Sequence, residues 1–543
     1  MLIFIYIIFL IKYVSSESIE VSTDLGQIQG TTLESRLGKS FFAFRGIRYA
    51  QPPVAHLRFK NPLPVEPWSP VIFDATIDGP MCPQKNEDKS DLSEDCLRLN
   101  VYTRDLNASK PVVVYLHPGG FYAVSGQSKN FAGPQNLMDR DIVFVTMNYR
   151  LGTLGFLATG NEDAPGNAGL KDQVMALRWI QSHIKNFGGD PNSVTLFGYS
   201  AGSLSIGLHM LSPMAKGLFH RGIAMSASPL SQLNYEYYGI DLANRQAQLL
   251  NCTTNSVKEL TDCLKQKPML DFVNSMDDMF DFNGQPILNW KPVIEKDFGQ
   301  ERYLIEDPYK TMLSGNIYKV PLITGITELE FMYTAYFTLI NATLTQYYND
   351  NFEKYAPIAF LYERGTPKSM EISKTLRSKY LRNETLRFPD SLKDFGKLFS
   401  DAVIGFGYHR FLTLVSRFVP VYTYIFTYKG RYSIFRDAQN QTYGPVHHDE
   451  LLYLLHVPGL TPMFKETDVE NDTIERLTRM WTEFAKKGDP NNHEDQFLKN
   501  LNWTPYTAKQ KEYLDIGTEL VTKTGGIYQD RYKIWDELFP IIE

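Results

Sequence analysis

The pentapeptide Gly198-Tyr199-Ser200-Ala201-Gly202 follows a short apolar run, Val194-Thr195-Leu196-Phe197, and precedes a helix-compatible stretch from Leu204 to Leu211. Glycines on both sides of a serine allow a strand-to-helix turn sharp enough to push the Ser200 hydroxyl out of a sheet as a nucleophile. The bare pattern is common by chance, and the strand in front of it gives it weight. A hydroxyl at its ordinary pKa is a poor nucleophile. It needs a base, a carboxylate to orient that base, and donors for the charge that develops on a carbonyl oxygen.

Each of these can be sought separately. His117-Pro118-Gly119-Gly120-Phe121 directly follows the apolar run Val112 to Leu116. There the N–H groups of Gly119 and Gly120 can approach a substrate, with the Ala201 N–H as a third donor. For the base, His447 stands in Gly444-Pro445-Val446-His447-His448-Asp449-Glu450-Leu451, late in the chain, as a serine, acid, histidine order requires. On chemistry alone His448 is nearly as good, and His456 and His409 are arguable. The acid belongs in a loop after an intervening strand, and Thr324-Gly325-Ile326-Thr327-Glu328-Leu329-Glu330 offers both Glu328 and Glu330. Periodicity does not choose between them. Tyr199, Phe121 and Tyr122 are candidate wall residues, and the chemistry needs neither metal nor cofactor.

These residues must be held by a scaffold. Val112–Leu116, Ile142–Thr146 and Val194–Phe197 are the β-branched, apolar runs of strands buried on both faces of a parallel sheet. Between the last two, Leu170, Val174, Leu177, Ile180 and Ile184 recur at helical spacing within 169–185. Strand, helix, strand is the order of an α/β fold. Further strands are expected at 320–324, with Pro321 tolerable only at its start, and at 421–426. Residues 230–315 and 330–415 read as mostly helical cover. No Gly/Ser linker, charge block or repeat divides the chain, so residues 17–543 are expected to form one domain.

The 543 residues are 43% hydrophobic and 21% charged, enough for a large core and unlike a disordered chain. A net charge of -6 gives no electrostatic footprint for nucleic acid. Leu2 to Ile11 is too short to span a membrane but suits a secretory leader, with cleavage expected after Ser16, although its n-region lacks a positive charge. No later run is long and apolar enough for a stable membrane anchor, so a secreted product is expected. The four cysteines fall as two close pairs, Cys82 with Cys96 and Cys252 with Cys263. Local pairing would close two short loops, while their spacing does not suit thiolate ligation of zinc. Asn107, Asn251, Asn341, Asn383, Asn440, Asn471 and Asn502 begin sequons open to glycosylation on a secretory route.

Two longer stretches are specific. Phe187-Gly188-Gly189-Asp190-Pro191 through Gly202, and Glu94-Asp95-Cys96-Leu97-Arg98-Leu99-Asn100, resemble the two signatures of the type-B carboxylesterase family of α/β-hydrolases, which also contains the cholinesterases. The likeness runs from about residue 20 to the end and looks nearest to insect secreted carboxylesterases of the venom and integument kind. It implies an α/β-hydrolase fold, a mostly parallel sheet flanked by helices, acting on a small-molecule ester through an acyl-enzyme. In the family the acid lies five residues after the glycine matched by Gly325, which implies Glu330 with Ser200 and His447 and leaves Glu328 second. It also implies Gly119, Gly120 and Ala201 as the oxyanion hole, Ser226 as a buried serine behind the acid, and disulfides Cys82–Cys96 and Cys252–Cys263. Departures from the family pattern are Arg98, Pro118, Ala227 and Phe331. Residues 83–95 hold no aromatic residue to grip a choline. A juvenile-hormone-type esterase, a lipase, and a non-catalytic cholinesterase-like adhesion protein are the alternatives. Oligomeric state is unreadable.

Overall fold

The computed structural model describes residues 19–231 and 239–542, so the leader expected over residues 1–16 lies outside it. The central sheet is built from β1 (Ile19–Thr23), β2 (Gly26–Glu34), β3 (Ser40–Arg48), β4 (Arg98–Thr103), β5 (Lys110–Leu116), β6 (Val143–Met147), β7 (Gly189–Tyr199), β8 (Arg221–Met225), β9 (Leu322–Thr327), β10 (Val421–Phe426), β11 (Tyr513–Ile516) and β12 (Leu520–Lys523). In space they run β1-β2-β3-β4-β6-β5-β7-β8-β9-β10-β11-β12. From β6 across to β11 every neighbour is parallel. The named strands outside that block pair antiparallel, and a short strand, Phe73–Asp74, adds to β2 in parallel. This is the α/β architecture with a mostly parallel sheet flanked by helices that the apolar runs predict.

Burial on both faces explains why those strands read as continuous apolar runs. Along β5, Val112, Val114 and Leu116 enter one core layer, while Val113 and Tyr115 enter the other. Helix α1 (Ala168–His183) covers the first layer with Leu170, Val174, Leu177 and Ile180. A helix near the C-terminus, Asn471–Lys487, covers the second with Ile474, Leu477, Met480, Trp481 and Phe484. Helix α1 begins one residue before and ends two residues before the expected 169–185, and Pro321 sits just before β9, where its missing N–H costs no ladder bond.

Two expectations need correction. Residues 280–307 contain no helix, because Pro286 and Pro292 remove N–H donors there and Gly284 and Gly299 adopt left-handed φ. The antiparallel strands β1 to β4 have no counterpart in the sequence reading. β1 and β2 bury few of their residues, and β4, though buried along nearly its whole length, mixes Arg98, Asn100 and Thr103 with its apolar residues, so none of these three shows the solid apolar run of the parallel strands.

Cys82–Cys96 and Cys252–Cys263 are both disulfide-bonded. Among the described residues no helix is long and apolar enough to cross a membrane. Asn107, Asn251, Asn341, Asn383, Asn440 and Asn502 are exposed. Asn471 differs: it is half-buried and its Oδ1 accepts a 2.9 Å bond from Arg36 Nη1.

Candidate active site

The strand order reverses at β5, whose neighbours are β6 on one side and β7 on the other. Crevices at the carboxyl ends of strands beside such a reversal are where α/β sheets bind ligands. Leu116 and Gly198 are partners in register, so the loop after β5 and the turn after β7 emerge side by side. Ser200 occupies that turn with φ 54° and ψ −116°, a conformation a serine adopts only under constraint. The constraint is on both flanks: its N–H donates to Met225 O at 2.8 Å, and its carbonyl accepts from Leu204 N at 2.9 Å as α2 (Ala201–Leu211) begins. The glycines are required by proximity. A Cβ on Gly202 would lie 1.9 Å from Leu116 O, and one on Gly198 2.4 Å from Gly202 O.

Gly119 and Gly120 have φ of 111° and 57°, and a Cβ on Gly119 would meet Ala123 O at 1.9 Å. The turn is closed by Tyr122 and Ala123 N–H groups donating to Gly119 O. Ala201 is the first residue of α2, so its N–H has no acceptor within the helix. Gly119, Gly120 and Ala201 line one cavity together with Ser200 and His447.

The loops carrying Glu330 and His447 are stitched to each other. Leu329 N donates to Pro445 O at 3.0 Å, and His447 N donates to Glu330 O at 2.8 Å. Side chains then meet: Glu330 Oε2 lies 2.5 Å from His447 Nδ1. Glu330 Oε1 accepts from Ser226 Oγ at 2.7 Å and from Thr327 N at 2.8 Å. Thus Glu330 is the carboxylate brought to His447, while Glu328 is half-buried beside Gly444. Burial pushes the imidazole below its ordinary pKa and the carboxyl above its own, the Ser226 and Thr327 donors opposing the latter. His447 Nε2, on the far side of the ring from Glu330, is buried and has no hydrogen-bond partner among the described residues.

Of the other histidines, His448 also lines the cavity, His409 pairs with Asp536 at 3.1 Å, and the His456 N–H bonds to Gly133 O. The cavity measures about 160 Å³, and Tyr122, Phe331, Tyr333, Leu288, Val403 and Ile404 form much of its wall. Among the three aromatic residues singled out from sequence, Tyr122 alone lies on it. Phe121 instead packs on Phe156, and Tyr199 is buried behind the pocket. Phe331, a departure from the family pattern, sits with its ring centroid 4.7 Å from that of His447 and narrows the site. Arg98, another departure, pairs with Asp95 at 2.7 Å and donates to Gly46 O. Leu288, Val403 and Ile404 escape sequence reasoning because they come from irregular or π-helical backbone with no motif. A larger cavity of about 490 Å³, edged by Arg245, Asp281 and Arg364, adjoins this one at Leu288; among the described residues it has no serine or histidine in its lining.

The carboxylesterase family pattern matches residues 17–535. Juvenile hormone esterase of Tribolium castaneum is 36% identical over 520 residues, covering 91% of this chain and 86% of that protein. Venom carboxylesterase-6 of Apis mellifera is 33% identical over 513 residues, covering 89% and 90%. The crystal structure of juvenile hormone esterase from Manduca sexta, with OTFP covalently attached, superposes with a TM-score of 0.85 at 28% identity, covering 97% of this chain and 100% of that one.

Proposed function

Since the chain belongs to the carboxylesterase family, has the α/β-hydrolase fold and is a carboxylic ester hydrolase, we propose that it works through Ser200, His447 and Glu330 by way of an acyl-enzyme. The observation that carries this reading is the 2.5 Å contact of Glu330 Oε2 with His447 Nδ1. It fixes the tautomer in which Nδ1 holds a proton, leaving Nε2 as the basic nitrogen of a ring that shares its cavity with Ser200.

In the first step Nε2 takes the Ser200 proton as Oγ bonds to the ester carbonyl carbon. Glu330 stabilises the imidazolium formed, and the oxyanion is held by the N–H groups of Gly119, Gly120 and Ala201. Collapse breaks the bond to the alcohol, which leaves with the proton from Nε2. Water then repeats the relay and frees the acid. In an unliganded site the serine–histidine bond is often long and tightens only when substrate binds. Burial keeps His447 neutral at rest, the state a base requires.

Ser200→Ala should abolish turnover of a simple aryl ester, and a fluorophosphonate should label the native protein stoichiometrically at Ser200. Wild-type turnover in the variant would end this assignment. Failure to label would favour the non-catalytic adhesion reading. We further propose a single domain over residues 17–543, secreted after loss of residues 1–16, a route compatible with the two disulfides. The likeness to juvenile hormone esterases supports a second reading, hydrolysis of a juvenile-hormone-type methyl ester. Initial rates on short and long acyl esters, a choline ester and that methyl ester separate these substrates, and a preference for aggregated ester would mark a lipase.

A further inference from the structure

Tyr199 precedes the nucleophile, yet its side chain turns away from the cavity and is fully buried. Its hydroxyl accepts a bond from the backbone N–H of His448 at 2.8 Å and donates to Glu450 Oε2 at 3.0 Å. The ring meets that of His447 edge-on, centroids 5.0 Å apart at 61°. One phenol therefore joins the residue before Ser200 to the residue after His447.

We propose that Tyr199 is a positioning residue, holding the imidazole of His447 in line with Ser200 through the His448 backbone and Glu450. This rests on the Ser200–His447 reading given above.

The backbone around His447 needs such a tie. His448 has φ of 83°, which a residue with a Cβ holds only when its surroundings impose it. The phenol takes the N–H of that residue. Glu450 is itself buried, within 3.4 Å of Ser226 Oγ and 3.5 Å of the Tyr424 hydroxyl, so it is an anchor rather than a mobile surface group. The remaining ties of His447, its N–H and Nδ1 to Glu330, run to the acid loop after β9 and not to β7. Ser226, which holds the acid, is tied to the turn through Met225 O and the Ser200 N–H, through Ala227 O and Ser203 Oγ, and through Glu450, which is bonded in turn to the Tyr199 hydroxyl. Of these only the last also reaches the backbone beside His447. Removing the phenol oxygen would leave His447 correctly paired with its acid but free to drift relative to the nucleophile. The orientation of reacting groups is steep in its effect on rate, and misplacement by about 1 Å can cost on the order of a hundredfold.

The test is Tyr199→Phe, which keeps the ring, compared with Tyr408→Phe, which deletes another buried phenol oxygen bonded to Thr423 away from the cavity. Active sites are titrated with fluorophosphonate so that rates refer to folded molecules. Expected for Tyr199→Phe is a loss of about tenfold or more in kcat with KM within about twofold, while Tyr408→Phe keeps both. Hydrogen exchange of the peptide covering residues 445–452 should quicken in Tyr199→Phe alone. Unchanged exchange there, or kcat within about twofold of wild type, overturns the proposal. If the wild type neither turns over ester nor labels, the catalytic reading fails, and exchange at the His448 amide still decides whether the clamp exists.

Discussion

Ser226→Ala probes the electrostatics of the acid. Ser226 Oγ donates to Glu330 Oε1 at 2.7 Å in a fully buried setting, and Thr327 N donates to the same oxygen at 2.8 Å. A hydrogen bond to a charged group is worth about 1.5–3 kcal/mol, and the surviving Thr327 donor argues for the lower end. About 1.5 kcal/mol is roughly a tenfold effect. The direction follows from which forms the hydroxyl stabilises. It favours the ionised carboxyl, so its loss leaves the balance between neutral and protonated imidazole alone but favours the inactive form in which Glu330 carries a proton. The acid limb of kcat/KM should therefore move to higher pH, and the loss of activity should be about tenfold on that limb and smaller in alkali. Rates on a short aryl ester across the acid and neutral range, normalised by fluorophosphonate titration, provide the assay. Because Ser226 has φ 55°, Ser226→Gly is a necessary companion that relieves the backbone while also lacking the hydroxyl. Both variants should shift the limb alike. A limb that stays put in both, or moves only in the alanine variant, refutes the reasoning.

Gly202→Ala places a methyl 1.9 Å from Leu116 O and must force the turn at Ser200 away from the Gly119–Gly120 loop, so kcat should fall by on the order of 10² or more in the molecules that fold. Lys171→Met leaves Glu295 buried without the ammonium 2.6 Å away. It should cost about 3–5 kcal/mol in denaturant unfolding, and adding Glu295→Gln should restore part of it. Burial holds His117 at about 4 and His209 at about 3, below the ordinary 6.5. Unfolded chains therefore bind more protons than the native state below about pH 6.5, and stability is full above that and declines as pH falls, by about 2 kcal/mol per histidine at pH 5. Unfolding midpoints measured down that range should drop steadily, with His209→Gln reducing the slope.

The proposed chemistry is local enough to be legible in the chain itself. The turn at Ser200 needs two glycines where backbones nearly touch, and a run of apolar β-branched residues must lie before it. The proposed nucleophile, the proposed oxyanion loop and strands β5, β6, β7, β9 and β10 are therefore written in contiguous residues, whereas β8 and β11, equally parallel, carry no such solid apolar run. Place after the last long strand makes His447 the leading base but leaves His448 nearly as good, and the family resemblance favours His447. Between Glu328 and Glu330 position and periodicity left a tie that only family resemblance broke, because the two differ by which face of one turn they occupy. The tertiary structure separates them: pairing of Leu329 with Val446 turns Glu330 inward to His447 and leaves Glu328 beside Gly444. Of the pocket wall only Tyr122 was legible in the sequence, for the same physical reason. Leu288, Phe331, Val403 and Ile404 come from segments far apart in the chain, and Tyr199, the last residue of β7, faces the core layer covered by helix Asn471–Lys487, while Ser200 leaves the strand in a turn with φ 54° and faces the cavity. The groups proposed to react are encoded in short stretches of residues; how tightly they are held, and what fits between them, is decided by contacts made only once the chain has folded.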